Sequence, residues 1–64
     1  MDRVQRLFKI VDIMQTESVM TADDLAAQMQ VSVRTIYRDI QALIRAGVCI
    51  EGEAGVGYRI RRRR

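Results

Sequence analysis

The chain has 64 residues, of which 48% are hydrophobic, and carries a formal charge of +3 at pH 7. That length allows one domain with one small core, and that apolar content argues against disorder. No apolar run approaches the roughly 18 residues of a membrane span, the single cysteine excludes an internal disulfide, and a chain without histidine cannot build the usual zinc finger or a histidine-based site.

The first predicted element is a helix over residues 2–17. Val4, Leu7, Phe8, Val11 and Met14 recur at three- and four-residue intervals, the spacing of one helical face. Ile10 and Ile13 widen that face, and Phe8 is read as core. Arg3, Gln5, Arg6, Lys9 and Asp12 are left to face water. These charges also break up any apolar stretch that could act as a secretory signal. Glu17-Ser18 ends the pattern.

The second helix follows a short linker and has matched start signals. Thr21 can cap it, and Asp24 three residues later can return the bond as in a capping box. Met20 and Leu25 flank the cap as a hydrophobic staple. Asp23 and Asp24 sit at the positive end of the helix dipole. Leu25, Ala26 and Met29 give the inward face, and the small Ala26 suits a close helix crossing.

Gln30-Val31 makes a tight turn, with Gln30 where many such turns carry glycine. Ser32 then caps a third helix over residues 33–46. Val31 and Ile36 can staple its start. Ile36, Ile40, Leu43 and Ile44 form its apolar stripe. Gly47 ends it as a left-handed cap, with Val48 folding back. The opposite face carries Arg34, Thr35, Arg38, Gln41 and Arg45, with Tyr37 on the flank. Asp39, beside that face, is expected to hold Arg38, Arg45 or a more distant basic group.

Residues 48–60 fit a hairpin, with strand candidates at 48–51 and 57–60. Gly52, Gly55 and Gly57 mark the join. Val48 and Ile50 face inward against Tyr58 and Ile60. Cys49 is read as a small, partly buried strand residue. Three helices and a two-stranded β-hairpin wing make an α+β winged helix-turn-helix over residues 1–60. Residues 61–64 form a basic tail expected to be flexible.

Charge is divided unevenly along this order. Residues 1–33 hold three basic and five acidic side chains, and residues 34–64 hold eight basic and three acidic. The distal half therefore suits a polyanion. Two helices joined by a tight turn are the unit that places the second helix in a DNA major groove, led by its N-terminal residues. Arg34 and Arg38 can fork onto guanine or pair with phosphate, and Thr35 can bond a base or contact a thymine methyl. Ser32 and the free amides beside it can hold a phosphate, and Tyr37 can bond one through its hydroxyl. Gln41, Arg59 and Arg61 complete the expected contacts to double-stranded DNA.

Other classes fit less well. A protein-docking winged helix, the alternative, would more often expose an apolar patch. Binding of RNA or single-stranded DNA would favour exposed aromatics, and the chain has only Phe8, Tyr37 and Tyr58. An enzyme would need an acid–base or metal-ligand cluster and a substrate pocket, which a chain this small has little room for. No metal or cofactor is expected, and no membrane association.

The stretches SVRTIYRDIQAL and AGVCIEGEAGVGYRI resemble the N-terminal winged helix of bacterial DeoR-like and WYL-domain transcriptional regulators. The resemblance covers residues 2–60. It rests most on Ser32, Thr35, Ile36, Arg38 and Asp39 together with Gly55-Val56-Gly57-Tyr58-Arg59. It implies a cytoplasmic transcription factor with residues 33–46 in the major groove and residues 50–60 as the wing. Ser32, Arg34, Thr35, Tyr37 and Arg38 match the family's DNA-contacting stretch. Such regulators usually act as dimers and continue into a larger C-terminal sensor domain. The chain ends at Arg64, where that domain would begin, so it is expected to be absent here. A homodimer would then form on DNA or through that further sequence.

Overall fold

The computed structural model describes residues 2–16, 19–53 and 55–61. Three helices, α1 (Arg3–Thr16), α2 (Ala22–Met29) and α3 (Val33–Arg45), precede two strands, β1 (Ile50–Glu53) and β2 (Gly57–Ile60). The expected order of three helices and a hairpin is therefore the observed one. Ala54 at the wing tip and the basic tail beyond Arg61 lie outside the described residues.

Each helix begins on a side-chain cap. The Gln5 amide donates to Asp2 Oδ1 at 2.8 Å at the start of α1. At α2 the Thr21 hydroxyl accepts from the Asp24 amide at 3.0 Å, and the Asp24 carboxylate accepts from the Thr21 amide at 3.4 Å. The capping box is complete, with aspartate in the place usually held by glutamate. At α3 the Ser32 hydroxyl accepts from the Thr35 amide at 3.1 Å.

The turn between α2 and α3 needs one left-handed residue, and Gln30 supplies it at φ 58°, ψ 45°. Glycine would adopt that geometry at less cost. Here the Val31 amide donates back to the Ala26 carbonyl at 3.1 Å, and Val31 packs on the core beyond it. With the Gln30 amide on the same Ala26 carbonyl, this bond closes the helix in the manner of a Schellman cap.

The same device ends α3. The Gly47 amide donates to the Ile44 carbonyl and the Val48 amide to the Leu43 carbonyl, both at 3.0 Å, with Gly47 at φ 102°. This cap corrects the expected first strand. With its amide committed to α3, Val48 is not part of the ladder, and β1 starts at Ile50 rather than at residue 48. Cys49 accordingly lies outside the strand and is exposed rather than partly buried.

Ile10, Leu25, Ile36 and Ile40 are almost wholly buried, and Ile13, Met14, Met20, Ala22, Ala26 and Leu43 surround them. The core therefore draws on all three helices. Two apolar readings change. Val4 is 60% and Phe8 73% exposed, so Phe8 is not core. The inward face of α1 instead runs through Arg6, Leu7, Ile10, Ile13 and Met14, which keep helical spacing equally well. Ile44, expected in the stripe of α3, is 42% exposed.

The antiparallel hairpin pairs Ile50 with Ile60, Glu51 with Arg59, Gly52 with Tyr58 and Glu53 with Gly57. Two strands alone are marginal in water. Val48, Ile50, Tyr58 and Ile60 pack against the helical core. A backbone bridge adds to this: the Met20 amide donates to the Tyr58 carbonyl at 2.9 Å, and the Tyr58 amide to the Met20 carbonyl at 2.7 Å. The linker before α2 is thus tied to β2 by a single-residue bridge at Met20.

Gly52 is fixed by this pairing. It sits at φ 130°, and a Cβ there would overlap the Gly57 carbonyl oxygen and lie 2.9 Å from the Tyr58 Cα. Gly52→Ala is expected to lower stability by about 1–3 kcal/mol, because backbone of the neighbouring strand cannot move aside as a side chain can. Thermal unfolding checks this. An unshifted midpoint would mean the register of the wing is not the one described.

Candidate nucleic-acid interface

Helix α3 has two sharply different faces. Ile36, Ile40 and Leu43 are buried inward, while Arg34, Arg38, Gln41 and Arg45 are exposed outward. Its first turn lies at the positive end of the helix dipole, where helix amides have no intrahelical acceptor. Ser32 and Thr35 are tied together there, with hydroxyl oxygens 3.0 Å apart. Ser32 is exposed and Thr35 half-buried, so the pair presents one hydroxyl edge at the leading end of the helix.

Tyr37 is 37% exposed on the flank. Tyr58 of β2 is partly buried nearby, and burial, with Tyr37 adding to it, raises its phenol above the ordinary pKa. The phenol is therefore neutral at physiological pH and places no negative charge beside α3.

Among the described residues Asp39 is the one charged side chain in the buried set, at 1% exposure. Its partner is not Arg38 or Arg45 but Arg6, from the first helix. The Arg6 guanidinium donates to Asp39 through Nε at 2.5 Å and Nη2 at 3.0 Å, a two-point fork. That hydrogen bond holds the guanidinium above its ordinary pKa against the opposing effect of burial. Arg6 was expected to face water, and its side chain is only 16% exposed. Nothing local in the sequence marks this pair, because its members are 33 positions apart. The pair neutralises the carboxylate, so Asp39 does not oppose an anion approaching Arg38.

The remaining expected contacts lie on and after the wing. Arg61 is exposed. Arg59 is exposed but engages Glu51 across the hairpin, with Nε 2.8 Å and Nη2 2.6 Å from Oε1. An exposed pair of this kind contributes about 0–1 kcal/mol and can exchange for a phosphate. The structure thus brings Ser32, Arg34, Thr35, Tyr37, Arg38 and Gln41 together on one helix, while Arg59 and Arg61 belong to the hairpin and its exit. Among the described residues no group of acidic and cysteine side chains is placed to hold a metal ion, and no helix is long and apolar enough to cross a membrane.

A family model described as an HTH domain matches residues 6–59. The chain belongs to this helix-turn-helix domain family. It is also 40% identical over 55 residues to a protein from Bacillus subtilis (strain 168) described as the uncharacterized HTH-type transcriptional regulator YobV. That match takes in 86% of this chain and 18% of the relative, so the chain spans about a fifth of that protein's length. No solved structure gives a significant match. Membership of the HTH domain family supports DNA binding, and the matched span contains α2, the turn, α3 and nearly all of the wing.

Proposed function

We propose that this chain is a sequence-specific double-stranded DNA-binding domain of a cytoplasmic transcriptional regulator, with residues 33–46 entering the major groove and the wing, residues 50–60, on the flanking backbone or minor groove. The observation that carries this reading is the free outer face of α3. It joins exposed Arg34, Arg38 and Gln41 to the Ser32–Thr35 hydroxyl edge, while the inner face of the same helix anchors the core. A helix so held can enter a major groove about 12 Å wide without loss of core contacts.

In this reading Arg34 and Thr35 supply the groove-facing donors and acceptors. Ser32, Tyr37, Arg38, Gln41, Arg59 and Arg61 hold the sugar–phosphate edges. The DeoR-like and WYL-domain resemblance fits this arrangement and adds the expectation of a larger sensor domain in the whole regulator. One recognition helix reads only a few base pairs. Two copies set about 34–36 Å apart on a repeated site would read enough sequence for regulation.

Selection from a pool of random duplexes at fixed salt tests the reading. The 64-residue chain is expected to enrich a short motif, or a repeat of one, and to lose affinity steeply as salt rises. Equal retention of every duplex, with no preference over heparin at physiological ionic strength, would remove specific DNA binding. The surface would then serve as a general polyanion or protein contact.

A further inference from the structure

Helix α1 carries a basic residue that neither the recognition helix nor the wing accounts for. Arg3, Arg6 and Ile10 fall at i, i+3 and i+7, so Arg3 continues the inward face of α1 beyond the end of the core. Arg6, one turn on, is fastened to Asp39 of α3. Helical geometry and that clamp together aim Arg3 along the outer side of α3.

Two adjoining grooves record this placement. One, of about 510 Å³, is lined by Arg3, Tyr37, Arg38, Gln41 and Arg45. The other, of about 340 Å³, runs from Arg3 and Arg38 to Thr35, with the Arg6–Asp39 pair in its wall. Arg3 and Arg38 belong to both. Among the described residues, the larger groove has three guanidinium-bearing residues and no carboxylate in its lining, and the carboxylate of the smaller one, Asp39, is matched by Arg6. Asp2, next to Arg3, has one oxygen engaged by the Gln5 amide.

We infer that Arg3 is a DNA-backbone contact, closing with Arg38 and Arg45 a phosphate-binding cradle between α1 and α3. This deepens the DNA-binding reading and rests on it. The cradle takes a phosphodiester, because its donors are guanidinium groups, a phenol and an amide, spread along an open groove rather than around an enclosed pocket. Arg3 then adds a third contact segment, which fixes how deeply and at what tilt α3 lies in the groove, without reading a base.

The test uses the 64-residue chain and the best duplex from selection, titrated over a range of salt. Arg3→Gln is expected to reduce the slope of log affinity against log salt by about 0.9 and to lower affinity at 0.1 M salt by about eightfold, the counterion term for one phosphate. The selected motif stays the same, and ethylation interference disappears at one phosphate. Arg3→Lys keeps the slope, and Lys9→Ala, elsewhere on α1, leaves it unaltered. Arg3 is exposed, so unfolding midpoints should not shift; if Arg3→Gln does unfold, the slopes of Arg3→Ala and Arg3→Lys are compared below its midpoint. A wild-type slope for Arg3→Gln or Arg3→Ala overturns the cradle alone, as does an equal loss from Lys9→Ala. A wild-type chain that binds no duplex overturns the cradle and the DNA-binding reading together.

Discussion

Arg6→Ala is expected to destabilise the domain by about 3–5 kcal/mol, because it leaves Asp39 buried without a partner. The carboxylate side chain is 2% exposed, and Arg6 supplies the two donors found on it. At about 0.05–0.15 kcal/mol per residue, a 64-residue domain has roughly 3–10 kcal/mol in total. The loss is therefore a large part of the whole, and the variant's unfolding midpoint should fall steeply. Urea denaturation measures it.

Replacing both members, Arg6→Met with Asp39→Leu, should recover most of the loss, since no charge is then left to desolvate. Recovery in the double variant shows that the harm lies in the orphaned charge rather than in lost packing. A loss below about 1 kcal/mol for Arg6→Ala would put the pair with ordinary surface ion pairs. The rotation of α1 would then have to be fixed by the apolar contacts of Leu7, Ile10, Ile13 and Met14.

Arg34 and Arg38 should separate in their effects on DNA. Arg34 lies in the first turn of α3, exposed and outside the two arginine-lined grooves, where a leading helix reaches the base edges. Arg34→Ala is expected to cost about 1–3 kcal/mol on the preferred site and to relax the selected sequence at one position. Arg38 faces both grooves beside Arg3. Arg38→Ala should instead weaken binding to all duplexes alike and take about 0.9 from the salt slope. Selection repeated with each variant decides between these outcomes. An unchanged motif for Arg34→Ala together with a changed one for Arg38→Ala would reverse the roles. No effect from either would leave α3 without a part in recognition.

The elements that sequence reasoning placed well are those held by local chemistry. Thr21 with Asp24, Ser32 before α3, and Gly47 after it each act within a few residues of where they stand, so their geometry can be read from spacing. The polar and apolar faces of α3 follow from the same 3.6-residue period. The outward placement of Arg34, Arg38 and Gln41 on that helix was legible for this reason. Gln30 is a partial case: the turn was visible, but its left-handed conformation at a non-glycine residue was not.

The chain by itself determined three helices, a glycine-punctuated hairpin, a basic distal half and one polar face on α3, because capping, periodicity and charge are properties of neighbouring residues. Tertiary structure alone decided which side of α1 turns inward, since Val4, Leu7, Phe8 and Val11 offer one helical stripe and Arg6, Leu7, Ile10 and Ile13 another. The second stripe prevails where Arg6 meets Asp39 across 33 positions, a pairing of a half-buried cation with a buried carboxylate that no local spacing reveals. The same long-range packing joined Met20 to Tyr58 and carried Arg3 to the edge of α3. Local rules set which elements form; the need to bury apolar surface and leave no buried charge or backbone amide unpaired sets how they face one another.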